Sequence, residues 1–79
     1  MASRDEWSSL CKAFGAAVRA RREELELSQE ELGFRSQLDR TYISGIERGT
    51  RNPTLKVIGR LAKALGTRAS RLLVATEDR

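Results

Sequence analysis

The sequence predicts an all-α fold, a compact bundle of five short helices. Three observations carry that expectation. Apolar residues recur at steps of three and four, so successive segments each have one apolar helical face. Residues that start and stop helices separate those segments: Ser28, Asp39 and Thr54 at starts, Gly49 and Gly66 at ends. The composition, 39% apolar with one Pro and few aromatics, suits packed helices better than a sandwich. A chain of 79 residues makes one small domain, residues 1–79, with a thin core.

The first helix is expected over about residues 5–25. Trp7, Leu10, Cys11, Phe14, Val18 and Leu25 share one face. Ser3 is a cap, Asp5 and Glu6 occupy the first turn, and Arg19, Arg21 and Arg22 lie toward the far end. That charge order complements the helix dipole. Cys11 reads as a small core residue rather than a reactive thiol.

Ser28 opens the second helix with a capping box completed by Glu31. This helix runs from about Gln29 to Ser36 with Leu32 inward. Gly33 stands where two crossing helices touch most closely. Gln37 and Leu38 make a turn, and Asp39 caps a third helix at roughly Arg40–Glu47. Ile43 and Ile46 face the core, which leaves Arg40, Thr41, Tyr42 and Ser44 on the other side. Gly49 ends the helix with a left-handed cap. The basic loop RGTRNPT, residues 48–54, leads to Thr54, cap of a fourth helix whose inner stripe is Leu55, Ile58, Leu61, Ala62 and Leu65. Gly66 stops it. A last helix near Arg68–Val74 carries Leu72, Leu73 and Val74, and the tail TEDR frays.

Composition narrows the function. Lys plus Arg outnumber Asp plus Glu by 15 to 11, and a net charge of +4 on so small a domain favours a polyanionic partner. With one Cys and no His, an intramolecular disulfide and a Cys/His zinc site are both excluded, and a reducing, cytoplasmic setting fits. No apolar run reaches membrane-span length, and no signal-peptide stretch stands at the N-terminus. Catalysis finds no support: there is no His, no glycine-rich phosphate loop and no paired carboxylates. Neither a cofactor nor a small-molecule ligand is expected. Residues 28–49, SQEELGFRSQLDRTYISGIERG, instead read as helix, tight turn and helix (about 28–48). That arrangement sets one helix into the DNA major groove.

These residues carry a resemblance. Residues 11–74 resemble the Cro/repressor-type, lambda-repressor-like helix-turn-helix domains, through LSQEEL at 27–32 and YISGIERG at 42–49. More narrowly, LDRTYISGIERGTRNPT at 38–54 is similar to the controller proteins of type II restriction–modification systems. The resemblance implies a five-helix domain, a homodimer and a palindromic operator. It also implies autoregulation that activates at low occupancy and represses as more sites fill. Two positions depart from the family pattern: Gly33 stands where Ala is usual, and Gln37 where Gly is frequent. A Gln held at positive φ strains the turn.

Arg40 begins the recognition helix and is the first choice for reading a guanine bidentately, with a phosphate contact as the alternative. Thr41 meets a base edge, a thymine methyl or a phosphate. Tyr42 either approaches DNA or packs against the second helix, and Ser44 is the weaker member of this set. Gln29, at a helix N-terminus, is expected to clamp a phosphate, as its counterpart does in the family. Arg51 and Asn52 join it as phosphate contacts; Arg48 either joins them or is simply solvated. Arg22 and Glu47 match positions that form a partly buried ion pair in related repressors, and a carboxylate turned toward DNA would repel phosphate.

Helices four and five, about residues 55–74, are expected to form the dimer surface. Val57, Leu72, Leu73 and Val74 are more apolar surface than one thin core absorbs, and a two-fold contact sets two recognition helices about 34 Å apart. For Leu72, closure of the core is the competing reading. Glu30 and Glu31 are either contacts for the polymerase sigma subunit or plain dipole and capping residues. Two rival readings share this fold: a phage-type repressor of other genes, and an antitoxin-like protein-interaction module.

Overall fold

A computed structural model describes residues 4–77. Five helices follow in order: α1 Arg4–Glu24, α2 Gln29–Ser36, α3 Arg40–Arg48, α4 Leu55–Ala64 and α5 Ala69–Glu77. There is no strand among the described residues. Ser3, the expected cap of α1, lies outside the described residues, as does the side chain of Asp5. The last helix continues three residues past Val74, so Thr76 and Glu77 are helical rather than frayed. Its Thr76 hydroxyl donates to the Leu73 carbonyl at 2.6 Å.

The helix boundaries follow from local chemistry. At α2 the capping box forms in full: Glu31 N–H donates to Ser28 Oγ at 3.0 Å, and Ser28 N–H donates to Glu31 Oε1 at 2.8 Å. Thr54 caps α4 through Val57 N–H at 3.2 Å. Gly49, at φ 79°, closes α3 in the left-handed conformation that favours glycine. Gln37 takes the same conformation at φ 60°, so the turn between α2 and α3 carries the expected strain. Glu26, at φ 57°, does likewise after α1, a feature with no local sequence signal.

One face of each helix meets in a single core. Phe14 and Val18 of α1, Leu32 of α2, Ile43 and Ile46 of α3, Leu61, Ala62 and Leu65 around α4, and Leu72 of α5 are all buried. Fully burying a side chain of this size contributes about 1.5–3 kcal/mol. Leu27, in the loop before α2, joins them unforeseen.

Several expected core positions are not core. Trp7 is 55% exposed, and Leu10 and Leu25 are also exposed: the first two lie in the opening turns of α1 and Leu25 just past its end. Leu55 is 79% exposed: it opens α4 before the helix reaches the core. Cys11 is only partly buried, on the rim of an apolar groove with Phe14, Ile58 and Leu73.

Two close approaches set the helix geometry. Gly15 lies where α1 crosses α3. A Cβ there would overlap the Ile46 carbonyl oxygen and stand 2.8 Å from that of Glu47. The tight neighbour of Gly33 is different from the crossing helix expected. A Cβ at Gly33 would meet the Leu38 carbonyl oxygen at 2.6 Å, so this glycine lets the turn fold back on α2. Arg21 adds a link invisible in the sequence, donating from Nε to the Leu65 carbonyl, at 3.0 Å, where α4 ends.

Gly15→Ala is expected to cost about 3 kcal/mol, because both obstructing atoms are backbone and only a shift of α1 relieves them. Chemical denaturation measures it; a loss below about 0.5 kcal/mol would show that α1 and α3 do not cross this closely.

Candidate nucleic-acid interface

The candidate interface is built on α2, the turn and α3. Leu32 and Ser36 turn inward from α2, and Ile43, Gly45 and Ile46 turn inward from α3. With those faces fixed, the remaining register follows. Arg40 and Thr41 are exposed at the start of α3, and Tyr42 and Ser44 are partly buried beside them. The turn is held by Leu38 N–H donating to the Gly33 carbonyl at 2.9 Å. Asp39 caps α3 through a longer bond from Thr41 N–H, 3.4 Å.

Beneath this face lies a chain of charged and polar groups. Arg22 on α1 grips Glu47 on α3 with two bonds, Nε to Oε2 at 2.7 Å and Nη2 to Oε1 at 3.0 Å. Their side chains are only 12% and 3% exposed. The third guanidinium nitrogen, Nη1, donates to the Leu27 carbonyl at 2.8 Å. Hydrogen bonding to Glu47 raises the Arg22 pKa above its ordinary value, against the desolvation that burial imposes. Gln29 then joins the pair: its Nε2 donates to Glu47 Oε1 at 3.0 Å, and its Oε1 accepts from Arg40 Nη1 at 3.3 Å.

That chain fixes the polarity of the Gln29 amide. A carboxylate only accepts, so the NH2 end must face Glu47 and the carbonyl end must face Arg40. The arrangement also sets a partial negative charge beside a cation that the N-terminus of α3 disfavours. Gln29 is therefore engaged with Arg40 and Glu47 rather than standing free for a phosphate. Sequence patterns carry no sign of this, since the partners lie 11 and 18 residues away.

The remaining site residues sort themselves by contact. Tyr42 packs its ring on the core while the Arg51 guanidinium lies over its face, 5.4 Å from the centroid, a cation–π contact. Arg48 donates to Ser44 Oγ one turn back, so these two side chains form a pair. Asn52 is exposed and borders the apolar groove beside Leu10 and Cys11. Thr50 secures the base of the loop, donating from Oγ1 to the Gly45 carbonyl at 3.1 Å. Among the described residues, no His, Cys, Asp and Glu cluster could hold a metal ion, and no helix is long and apolar enough to cross a membrane.

Comparison with known proteins agrees with this geometry. The helix-turn-helix family model HTH_3 matches residues 18–72. Control protein C.BamHI of Bacillus amyloliquefaciens is 51% identical over 61 residues, 76% of this chain and 75% of that protein. The chain belongs to the helix-turn-helix family, among its restriction–modification controller proteins. The crystal structure of the controller protein C.AhdI from Aeromonas hydrophila superposes with a TM-score of 0.77 at 45% identity, covering 78% of this chain and 94% of that one. The C.Esp1396I tetramer in complex with its natural 35 base-pair operator gives a TM-score of 0.76 at 34% identity, over 87% and 96% of the two chains. Controller proteins of this family are transcriptional regulators and not enzymes.

One dimer expectation fails in this controller protein. Leu72 is 3% exposed within a single chain, so it closes the core and cannot present a surface to a partner. Its direction on α5 is set by contact with the core, whereas Val74, 55% exposed, points outward. Val57 and Leu73 are partly buried and packed against the core.

Two outcomes test the electrostatics. Glu47→Gln strands the Arg22 charge and is expected to destabilise the controller protein by about 3–5 kcal/mol; a melt unchanged from wild type would disprove a structural pair. Glu31 has its pKa lowered, first by the backbone hydrogen bond from Ser28. Its contribution to stability is therefore complete above the ordinary glutamate range and lost as pH falls through the lowered folded value. Melts of wild type and Glu31→Gln should converge over that acid interval.

Proposed function

We propose that this controller protein is a sequence-specific DNA-binding regulator, acting as a homodimer on a palindromic operator. It autoregulates its own gene and times the expression of a restriction endonuclease in the bacterial cytoplasm. The observation that carries this is the outer face of α3: Arg40 and Thr41 are exposed, with Tyr42 half-buried beside them, on a helix whose inner face is locked by Ile43, Ile46 and the Arg22–Glu47 pair. The related C.Esp1396I assembles as a tetramer on its natural operator, which supports the same use of this fold.

In this reading Arg40 is the base-reading residue, with Thr41, Tyr42 and Ser44 beside it. A guanidinium matches the O6 and N7 acceptors of guanine, and the bond from Nη1 to the Gln29 carbonyl, 3.3 Å, holds the side chain while leaving its other N–H groups to face them. Arg51, lying on Tyr42, with Arg48 and Asn52 of the same loop, contacts phosphate. Gln29 contributes from the N-terminus of α2 through the second hydrogen of its Nε2, the first being donated to Glu47. Val74 and the exposed Leu55, with the partly buried Val57 and Leu73, supply the two-fold apolar contact. Activation at low occupancy uses a surface for the sigma subunit. Glu30 is the better of the two candidates, since the Glu31 carboxylate is taken by the capping box. Filling of adjacent sites converts activation to repression.

Selection of bound duplexes from a random pool, at two salt concentrations, tests this. A palindromic consensus with affinity falling steeply as salt rises is expected. Repeating the selection with Arg40→Ala should flatten preference at one base pair of each half-site, while Arg51→Ala should weaken all sequences about equally. Salt-sensitive binding without any consensus would refute the operator reading.

A further inference from the structure

The cleft between α2 and α4 carries cations that nothing else in the domain uses. It holds about 570 Å3 and is lined by Arg35, Ser36 and Gln37 at the end of α2 and by Arg60, Lys63 and Ala64 of α4. Arg60 and Lys63, three residues apart, share one face of their helix. The ion pairs Arg19–Glu23, Arg21–Glu24 and Arg22–Glu47 involve none of these cations. Among the described residues, the side chains of Arg35, Gln37, Arg60 and Lys63 make no hydrogen bond. Glu31, one turn before Arg35, keeps its carboxylate on Ser28 N–H. Helix dipoles account for Arg35 and Lys63, each in the last turn of its helix, but not for Arg60 in the middle of α4. Nor do they account for Gln37, which takes a left-handed conformation that glycine adopts freely and sets an amide at the cleft.

Charges of one sign repel each other unless an anion stands among them. Duplex DNA lying along α3 is not placed to supply it. Gly33 packs on Leu38 and Arg40 at the start of α3, whereas Arg35, two residues later, points about 200° around the helix. α2 therefore stands between the cleft and α3. A peptide finds no anchor, since the lining has no apolar side chain larger than that of Ala64. What fits is a compact anion of several charges, met by two guanidinium forks, an ammonium and an amide. We propose that this cleft binds a polyphosphate: two or more linked phosphate groups, free or carried on a nucleoside. Its occupancy cancels positive charge on a domain whose total is only +4, and so weakens attraction for DNA. The sequence carries no sign of the site, because only the packing of α2 on α4 brings Arg35 to Arg60.

Calorimetry on the full chain tests this, with sodium tripolyphosphate as titrant at fixed ionic strength and sulfate as the control anion. Saturable binding of tripolyphosphate is expected, far tighter than that of sulfate. Arg60→Gln and, separately, the exposed Lys63→Gln should each weaken it about fivefold or more, while Arg51→Ala, in the loop after α3, should not. Adenosine triphosphate should compete about as well as tripolyphosphate, because no ring lines the cleft to hold a base; binding that requires the nucleoside overturns the proposal. Tripolyphosphate binding no tighter than sulfate also overturns it, as generic counter-ion attraction. A loss in Arg51→Ala equal to that in Arg60→Gln does the same, since the anion would then sit on the DNA face. Operator affinity of Arg60→Gln should stay close to wild type, and a fall as large as that of Arg51→Ala would make the cleft a DNA contact instead. The calorimetry needs no operator, so the site stands or falls apart from the operator reading.

Discussion

The bond between Arg22 and Glu47 is the constraint on which the rest of the domain depends. It ties α1 to α3 across the domain, with all three guanidinium nitrogens and both carboxylate oxygens engaged. A pair this buried is stable only because each charge is met by the other and by hydrogen bonds. The backbone approach at Gly15, where α1 meets the Ile46 and Glu47 carbonyls, brings the two helices close enough for it to form. The ion pair is thus a packing decision as much as an electrostatic one.

From that pair the order continues outward. Glu47 orients the Gln29 amide, and the Gln29 carbonyl receives Arg40. The residue assigned to read a base is therefore held, before any DNA arrives, by a chain that begins in the core. The same logic orders the other side of α3, where the Tyr42 ring seats Arg51 and the Thr50 hydroxyl pins the loop to Gly45. Preorganised side chains lose less conformational freedom on binding, which favours affinity and fixes geometry together.

Surface chemistry divides the domain into faces with different work. The start of α3 and its following loop are cationic and polar. Exposed apolar groups stand elsewhere, at Trp7 of α1, Phe34 of α2, Leu55 of α4 and Val74 of α5. Acidic residues concentrate around the end of α1 and the start of α2, where Glu31 is committed to capping and Glu30 is not. A net charge of +4 spread evenly would attract DNA without orienting it. Segregation gives the domain one side that suits the DNA backbone and others that suit different partners.

Much of this was legible in the sequence, because local signals act over a few residues. The period of apolar residues specified five helices, and Ser28, Asp39, Thr54 and Gly49 marked their ends. The outward set on α3 followed from Ile43 and Ile46 alone. What the sequence could not decide depended on groups far apart in the chain. Periodicity identified a face on α1 but not how far its neighbours extend, so Trp7 and Leu10 were expected inside and stand outside. It grouped Leu72, Leu73 and Val74 together, and only the packing of α5 on α1 and α4 sent Leu72 inward and Val74 outward. The resemblance paired Arg22 with Glu47, yet Gln29 and Arg40 joined them only once α1, α2 and α3 met. Helix formation is a local free-energy choice, while contacts between helices are set by shape and charge across the whole fold.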